Sequence, residues 1–481
     1  MPTTVVWLRN SLRLEDHPAL THAAERGAVV PVFVWAPDEE GDWAPGGAHR
    51  WWLHESLKAL DDALQNKGSR LVLRQGASLD ELKAVCEASG ADRVVWQTRI
   101  APTLRRRDDD VRAGLEEAGV EVRQFAGRIL HDPEQIETGS GGPYKVFTPF
   151  WKKAKAQLDP GEPLPAPRIG ASKAPEAWPE SVDLDALGLT PEAQDGVDWA
   201  GDMRDEWTPG EAGARRRLDA FLDGTLLDYD ERRDYPADRG TSMLSPHLHW
   251  GEVSPRQVWA AVNGWVSNGA TREAADAFLF EIGWREFSYH VLHHFPQMPD
   301  EPLKEKYRKM PWEPDDDALR AWQRGRTGYP IVDAAMRQLW AIGWMHNRMR
   351  MVTASFLTKD LLLPWQDGER WFWDTLCGGD LANNSMGWQW AAGSGADAQP
   401  FFRIFNPVSQ SERYDPDGAY IRRWVPELAD LPTEHLHAPW DAPPEALEEA
   451  GVVLGETYPE PIVDHGEARD RALEALKKVN D

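Results

Sequence analysis

Residues 3–125 alternate short apolar runs with amphipathic segments, and this alternation limits the fold more strictly than any other feature of the chain. The apolar runs predict buried strands at Val5-Val6-Trp7-Leu8, Val29-Val30-Pro31-Val32-Phe33-Val34-Trp35, Leu71-Val72-Leu73 and Arg93-Val94-Val95-Trp96. The amphipathic stretches predict helices at about 17–26, 50–66, 78–89 and 102–118. Strands that alternate with helices predict a doubly wound parallel sheet. Because proline has no N–H to offer a neighbouring strand, Pro31 is expected at a strand start or at a sheet edge.

The pattern changes after residue 130, and this change divides the chain into an α/β part and a helical part. Residues 1–130 form the predicted α/β domain. Prolines are frequent from Pro160 to Pro179, so residues 131–205 are predicted to be a long linker containing one helix at Tyr144 to Leu158. Residues 206–481 form the predicted all-helical domain, with helices at about 211–223, 271–294, 316–324, 330–344, 346–360, 367–376, 420–428 and 467–479. Serine before proline predicts two more helix starts, at Ser245-Pro246 and Ser254-Pro255.

The composition excludes several classes of protein. No run of eighteen apolar residues occurs, which argues against a membrane-spanning helix, and the N-terminus lacks the basic region of a signal peptide. The two cysteines, Cys86 and Cys377, are too few for a disulfide framework and fit a reducing cytoplasm. The formal net charge is −26, from 79 acids and 53 bases, so any DNA-binding surface would require locally concentrated arginines. No G-x-G-x-x-G motif follows the first strand, so the usual dinucleotide-binding signature is absent.

The segment from Gly378 to Trp390 holds an acid, three amides and two indoles within eleven residues, from Asp380 onward. Trp388 and Trp390 are two residues apart, so they do not share a face in a helix. One of them could line a cofactor pocket while the other faces a neighbouring cavity. A tryptophan-rich turn in the core is the ordinary alternative, and this segment alone leaves both open.

Two other segments place polar and apolar side chains together on a helix face, at spacings of three and four residues: Glu281, Trp284 and Arg285 in one, and Asn347, Arg350 and Met351 in the other. A carboxylate, an indole and a guanidinium on one face can bind a planar ligand with polar edges. The Arg350 guanidinium could stabilise an anionic ring. The ordinary alternatives are a surface ion pair beside a core tryptophan and an amphipathic helix with solvated arginines.

The segment Gly240-Thr241-Ser242-Met243-Leu244-Ser245-Pro246 precedes a predicted helix. Hydroxyls and free backbone N–H groups at a helix start can bind an anion, and a diphosphate would suit them. The ordinary alternative is a helix cap without a ligand.

Together these segments resemble the photolyase/cryptochrome flavoprotein family, and within it most closely the bacterial cyclobutane pyrimidine dimer photolyases. The motifs run in order over nearly the whole chain: Trp7 to Leu14, Tyr229, Arg233-Asp234-Tyr235-Pro236, Gly240-Thr241-Ser242, Glu281 to Phe287, Thr327 to Asp333, Gly343 to Met351, Gly387-Trp388-Gln389-Trp390 and Phe402 to Pro407. The resemblance implies that the helical domain binds FAD and that the protein is a light-driven carbon–carbon lyase. Reduced anionic FAD would give an electron to a flipped pyrimidine dimer, whose cyclobutane ring would split before the electron returns.

The resemblance also implies roles for individual residues. FAD would be held by Tyr229, Thr241, Ser242, Met243, Leu244, Ser245, Glu281, Arg285, Trp344, Asn347, Arg350, Asp380 and Asn384. Asn384 would lie near flavin N5. The chemistry and the electron relay would involve Glu281, Asn384, Trp388, Trp365 and Trp312. The lesion and its DNA would contact Trp284, Asn347, Met351, Trp390, Arg232, Arg233, Arg348 and Arg403.

Two features of the sequence depart from the family pattern. An acid usually stands two residues before Asp380 and pairs with the arginine that matches Arg350, but here Gly378 stands there. The acid and amide that hold the folate antenna in some relatives match Thr103 and Leu104, so that folate site is not expected. A second chromophore could be a deazaflavin, a flavin or a differently placed folate.

The main alternative is a cryptochrome-type blue-light photoreceptor, and repair of another photolesion is the second. Signalling cryptochromes often carry a C-terminal extension, which is not expected here because the chain ends at its last predicted helix. A (6-4) photoproduct enzyme would show histidines at 347 and 351, where this chain has Asn347 and Met351. We therefore expect dimer repair, with UV-damaged DNA as the partner of a cytoplasmic monomer that has no membrane contact.

Overall fold

A computed structural model of the protein describes residues 1–190, 198–267 and 271–480. It divides into two compact units. Unit one comprises residues 1–227, 242–296 and 377–380, and unit two comprises residues 228–241, 297–376 and 381–481. The predicted linker 131–205 includes residues 191–197, and the predicted helical domain 206–481 includes residues 268–270 and 481. These positions lie outside the described residues.

Unit one contains a sheet of five parallel strands within residues 1–190, in the order β3-β2-β1-β4-β5. The strands are β1 (Thr3–Leu8), β2 (Ala28–Trp35), β3 (Val72–Gln75), β4 (Arg93–Gln97) and β5 (Glu121–Phe125). The helices between them are α1 (Pro18–Arg26), α2 (Gly47–Gln65), α3 (Ser78–Ser89) and α4 (Pro102–Glu117). The predicted doubly wound parallel sheet is therefore confirmed, because the apolar runs supply strands that are buried in the sheet.

Two details of the sheet differ from the sequence prediction. Pro31 lies inside β2, which pairs with β1 on one side and with β3 on the other, so it is neither at the strand start nor in an edge strand. The pairing of β2 with β3 begins only at Val32, so beside Pro31 that side of the strand has no partner from β3. Strand β5 was not predicted, because Glu121-Val122-Arg123-Gln124-Phe125 is mostly polar, as an edge strand can be.

The helices after the sheet follow in chain order: α5 (Phe147–Gln157), α6 (Gly201–Glu206), α7 (Glu211–Gly224), α8 (Tyr229–Arg232), α9 (Ser245–Trp250), α10 (Pro255–Ser267) and α11 (Arg272–His294). Then come α12 (Asp316–Gln323), α13 (Pro330–Ile342), α14 (Asn347–Ser355), α15 (Trp365–Thr375), α16 (Leu381–Ala391) and α17 (Pro407–Tyr414). The last helices are α18 (Ala419–Trp424), α19 (Thr433–Leu436), α20 (Pro444–Glu449) and α21 (His465–Asn480). The predicted helix 346–360 is α14 followed directly by one turn of π-helix, Phe356–Asp360.

Proline and glycine define several of these boundaries. Pro255 and Pro330 begin α10 and α13, as a residue with a fixed φ and no N–H favours. Gly343 ends α13 in the left-handed conformation, with a φ of 63°. The break between α13 and α14 therefore arises from Gly343. Helix α14 is a separate helix, and its side chains belong to the candidate site.

Each unit has its own apolar core. In unit one the core lies against the sheet and includes Val5, Trp7, Val94 and Trp96. In unit two one apolar cluster collects residues between Trp322 and Tyr458, among them Trp365 and Trp388. Within the described residues, no helix is long and apolar enough to cross a membrane.

Candidate functional site

Asp380 is the centre of a buried ionic network in unit one. Its carboxylate accepts hydrogen bonds from the Tyr289 hydroxyl and from Arg128 Nη2, the latter at 3.2 Å. Arg128 Nε also donates to the Tyr289 oxygen at 2.8 Å. Burial alone would raise the pKa of the Asp380 carboxyl, but Arg128 and Arg285 together hold that pKa well below its usual value. Asp380 is therefore a fixed anion at neutral pH.

The turn that carries Asp380 is held from both ends. The Gly379 N–H donates to His49 Nε2 at 3.1 Å, and the Trp250 indole N–H donates to the Cys377 carbonyl at 2.9 Å. The His49 ring stacks on His249, with centroids 4.8 Å apart and an angle of 6° between the planes. Burial lowers the pKa of His49 to about 3, so the ring is neutral and can accept the Gly379 hydrogen bond.

Gly378 lies in close contact with another part of the backbone. A Cβ placed on it would meet the nitrogen and Cα of Pro246 at 2.7 Å and the carbonyl carbon of Ser245 at 2.8 Å. Distances this short are not possible without a shift of the backbone. The acid that the family pattern favours at this position therefore has no room in this structure.

Arg285 supplies a buried donor beside this network. Its Nη1 donates to the Arg128 carbonyl at 3.0 Å and lies 3.5 Å from the Glu286 carboxylate. Its Nη2 is buried and has no hydrogen-bond partner among the described residues. An unsatisfied buried donor is costly, so this atom suits a ligand with an acceptor at its edge. An isoalloxazine ring, whose edge carries carbonyl oxygens and ring nitrogens, fits that requirement.

Glu281 lies on α11 one turn before Arg285, Trp284 immediately precedes Arg285, and the side chains of Glu281 and Trp284 are partly exposed. The Trp284 indole stacks on Phe147, with ring centroids 3.9 Å apart and an angle of 10° between the planes. The edge of Phe287 approaches the same indole at 6.0 Å. These contacts fix the orientation of Trp284, as a flat surface for stacking requires.

The predicted anion-binding segment is divided between the two units. In unit one, the Leu244 N–H donates to the Ser242 hydroxyl at 3.4 Å, Met243 has a φ of 50°, and α9 starts at Ser245. The hydroxyl of Ser242 therefore folds back on the start of the helix. In unit two, Thr241 precedes this turn, and the Arg233 guanidinium lies over the Tyr229 ring at 5.6 Å.

Asn384 lies on α16 in unit two, and its amide has a defined orientation. Its Nδ2 donates to the backbone carbonyl of Glu369 at 2.9 Å, which leaves the amide oxygen to face elsewhere. The Glu369 side chain is fully buried in α15. Burial raises the pKa of the Glu369 carboxyl well above its usual value, against a smaller opposing effect of the Ser385 hydroxyl. Asn384 is thus supported by a helix that carries a neutral acid.

Helix α14 begins with His346, whose ring accepts the Arg348 N–H at 3.2 Å, and it carries the predicted residues of the second segment. Asn347 is exposed, Arg350 and Met351 are partly exposed, and Trp344 is buried just before the helix. Arg350 Nε donates to the Met345 carbonyl at 2.9 Å. Asn347, Arg350 and Met351 are three and four residues apart in one helix, as the predicted common face requires.

The arginines predicted to contact DNA differ in their surroundings within unit two. Arg348 pairs with Asp234 at 2.8 Å and lies over the Tyr414 ring at 4.4 Å, while Arg232 pairs with Asp238 at 3.1 Å. Arg403 is exposed, and its carbonyl accepts hydrogen bonds from two side chains, the buried Lys359 at 2.7 Å and Gln399 at 2.9 Å. The loop beneath Arg403 is therefore fixed by the core.

The three tryptophans of the predicted relay lie in or against one apolar core of unit two. Trp388 and Trp365 are buried within it, and Trp312 is partly buried against it. The ring contacts of Trp388 are with Phe372 at 5.0 Å and with Trp322 at 6.0 Å. Trp390, two residues later in α16, is partly exposed. Their shared core is consistent with a relay, which stays a prediction.

A cavity of about 410 Å³ in unit one is lined by residues that include Glu39, Thr103, Arg106, Arg107 and Asp110. It therefore lies beside one of the two positions where the folate-binding pair is replaced. In the described part of the chain, no group of histidine, cysteine and acidic side chains could hold a metal ion.

Comparisons with known proteins identify the family. The model of the FAD-binding domain of DNA photolyase matches residues 278–478, and the DNA photolyase model matches residues 4–168. The chain belongs to the DNA photolyase family. A deoxyribodipyrimidine photo-lyase of Agrobacterium fabrum is 48% identical and aligns over 99% of this chain and 98% of its own length.

Two further relatives are similar to nearly the whole of this chain. The crystal structure of a class III photolyase from Agrobacterium tumefaciens has a TM-score of 0.95 and 48% identity, covering 100% of this chain and 98% of that one. Cryptochrome-2 of Arabidopsis thaliana is 40% identical and aligns over 99% of this chain and 79% of its own length. The predicted family, its α/β and helical fold class and its FAD cofactor are confirmed.

Sequence reasoning missed several residues of the Asp380 network in this photolyase-family chain. Tyr289 is four residues after Arg285 on α11, so the spacing that identified Arg285 could also have identified Tyr289. Arg128 and His49 gave no such signal, because they are 252 and 330 positions away from Asp380 and Gly379 respectively. Only the folded chain brings them to the turn.

Proposed function

We propose that this protein is a deoxyribodipyrimidine photolyase, an enzyme that uses light to split cyclobutane pyrimidine dimers in UV-damaged DNA. The observation that carries the proposal is the full-length match to a photolyase at 48% identity. The two photolyase family models also match this chain, one in each half. FAD is the cofactor, and when bound in its reduced form it supplies the light-excited electron that the reaction needs.

In this proposal, Asp380 and Arg285 bind polar edges of the flavin ring. Arg128 and the Tyr289 hydroxyl keep Asp380 ionised and fixed, so it can accept a hydrogen bond without moving. The unsatisfied Nη2 of Arg285 can donate to the ring. The Asn384 Nδ2 donates to the Glu369 carbonyl, so the amide oxygen can accept a hydrogen bond from an N–H of the ring.

We assign the remaining FAD contacts to residues that can surround the diphosphate, the ribityl chain and the ring: Tyr229, Thr241, Ser242, Met243, Leu244, Ser245, Glu281, Trp344, Asn347 and Arg350. Ser242 and Thr241 contribute hydroxyls suited to phosphate oxygens. The buried Trp344 contributes an apolar wall that excludes water from the cofactor.

The lesion must leave the base stack to reach a buried cofactor, and a dimer flips at lower cost than an intact pair of bases. Trp284 offers an indole whose orientation is fixed by Phe147, and Glu281 can accept hydrogen bonds from base edges. We assign Asn347, Met351 and Trp390 to further lesion contacts. The DNA backbone contacts are assigned to Arg232, Arg233, Arg348 and Arg403, four bases in a chain whose formal net charge is −26.

The relay proposal assigns Trp388, Trp365 and Trp312 to electron transfer toward oxidised flavin. The first two are buried in one core and Trp312 is partly buried against it, so the path would run from a more accessible indole inward. Such a path would carry electrons from an external reductant to oxidised cofactor before repair, and it would take no part in splitting the dimer itself.

A photoreceptor function is the second candidate, because Cryptochrome-2 is 40% identical over nearly the whole of this chain. The photolyase is the more similar relative, at 48%.

We further propose that the protein acts as a cytoplasmic monomer, as the two unpaired, buried cysteines fit a reducing compartment. A second chromophore would be a deazaflavin, a flavin or a folate, and the absorption spectrum of the denatured extract distinguishes these three.

The deciding experiment is repair of a thymine-dimer oligonucleotide under blue light, with a dark sample as the control and several salt concentrations. Intact thymines should appear only in the light. The absence of light-dependent repair by flavin-loaded, chemically reduced protein at every salt concentration would overturn the repair function and leave the photoreceptor candidate. A protein that releases no flavin on denaturation would overturn both.

A further inference from the structure

Arg350 is a cation for which the described part of the chain supplies no paired carboxylate. Its Nε donates to the Met345 carbonyl at 2.9 Å, and no acid forms an ion pair with its guanidinium among the described residues. Burial lowers the pKa of this guanidinium to about 10, and no neighbouring acid opposes that effect. Even partial removal of a cation from water is energetically costly when no anionic partner is present.

Other arginines of the chain do have acids. Arg348, on the same helix, pairs with Asp234 at 2.8 Å. In unit one, Arg128 pairs with Asp380 at 3.2 Å and Arg9 lies 3.3 Å from an Asp108 oxygen. Arg350 therefore differs from a close neighbour on its own helix and from Arg128 and Arg9 in unit one.

Position 378 cannot supply the missing acid. A Cβ on Gly378 would already lie 2.7 Å from backbone atoms of Pro246, so an aspartate does not fit without a backbone shift. The close packing around Gly378 therefore accounts for the absence of an acid at this position. Among the residues that the structure describes, no acid neutralises the charge of Arg350.

We propose that the negative charge of reduced FAD is the counter-ion of Arg350, so that this one side chain makes the protein bind reduced flavin more tightly than oxidised flavin. The inference rests on the proposed FAD function and adds to it a dependence on redox state. Reduction transfers two electrons from an added reductant, such as dithionite, and one proton from water to the ring. The neutral oxidised ring therefore gains one negative charge. An arginine already paired with an acid would interact much less strongly with that charge.

The test compares Arg350→Met with Arg350→Lys, which keeps the charge, and with Arg348→Met as the matched control on the same helix. Methionine removes an unpaired cation and leaves no acid behind. The flavin-free Arg350→Met protein should therefore unfold at the same or a higher temperature than wild type. Arg348→Met leaves Asp234 without its partner and should unfold at the same or a lower temperature. An Arg350→Met protein that fails to fold, or that unfolds clearly below wild type, would overturn the proposal.

The decisive measurement is the affinity of the flavin-free proteins for oxidised FAD and for dithionite-reduced FAD. In Arg350→Met, the preference for reduced over oxidised FAD should fall at least about tenfold, which lowers the two-electron midpoint potential by about 30 mV. Arg350→Lys should keep most of the preference, and Arg348→Met all of it. An unchanged preference in an Arg350→Met protein that still binds FAD refutes the charge pairing. A wild-type protein that binds no FAD in either state refutes the proposed function instead.

Discussion

Trp284 gives the sharpest test of the assigned lesion contacts, through the substitution Trp284→Ala. The indole is partly exposed and stacks on Phe147 at 3.9 Å, so Phe147 covers one face and the other can meet a base. Alanine removes this surface, and it also removes the indole's contact with Phe147. The change should therefore weaken binding of the dimer and destabilise the protein slightly, and these two effects are measured separately.

The size of each effect follows from the contacts. Stacking of one base on an aromatic side chain contributes about 1–3 kcal/mol. Since about 1.4 kcal/mol corresponds to a tenfold change, the dissociation constant for dimer-containing DNA should rise about 5- to 150-fold. Loss of the Phe147 pair should cost about 0.5–1.5 kcal/mol of folding stability beyond the lost burial.

The assay is fluorescence anisotropy with a thymine-dimer oligonucleotide and with the undamaged sequence, at one fixed salt concentration because phosphate contacts depend on salt. The control is Trp340→Ala, since Trp340 is 56% exposed on α13 and no lesion contact is assigned to it. Affinity for undamaged DNA should change little in either variant. If folded, flavin-loaded Trp284→Ala binds the dimer as tightly as wild type, Trp284 is not a lesion contact.

Three further predictions concern the relay, the tight turn and the buried acid. Trp388→Phe should block light-driven reduction of oxidised FAD and spare repair by chemically reduced enzyme, and equal photoreduction in both proteins would contradict the relay. Gly378→Ala should lower the urea midpoint and cost about 1–3 kcal/mol of folding stability, because its Cβ would meet Pro246. The control Gly387→Ala has open space around its Cβ and should gain up to about 1 kcal/mol of folding stability. Equal effects of the two substitutions would contradict the packing argument. Glu369 is held neutral in the native state but ionises in the unfolded chain above its usual pKa of 4.5, so its contribution to stability falls as pH rises. The melting temperature of Glu369→Gln relative to wild type should therefore be higher at about pH 8 than at about pH 5, and a constant difference would show that Glu369 is ionised in the native state.

The position of each partner in the chain explains which parts of the candidate site the sequence could predict. Glu281, Trp284 and Arg285 share a helix face because three- and four-residue spacings are a property of the helix itself. The same holds for Asn347, Arg350 and Met351 on α14. The family resemblance then supplied their roles, as well as those of Asn384 and Trp388, which remain predictions.

The fold was predictable where local pattern and burial agree. Four apolar runs became strands β1 to β4, and the prolines at 255 and 330 begin α10 and α13. The polar edge strand β5 was missed because an edge strand needs few apolar residues. Pro31 was wrongly expected outside an inner strand, because the sequence does not show where pairing with the neighbouring strand begins.

The sequence by itself determined the alternating strands and helices, the helical faces of the site and the family. The tertiary structure alone decided how the charges of the site are compensated. Asp380 pairs with Arg128, 252 positions away, whereas Arg350 has no acid among the described residues. The physical reason is that helical and strand patterns are set by neighbours in the chain, while the partner of a buried charge is set by packing between distant segments. Gly378 illustrates the difference. The sequence shows only that the expected acid is missing, whereas the structure shows that backbone atoms of Pro246 occupy the space that a side chain at position 378 would need.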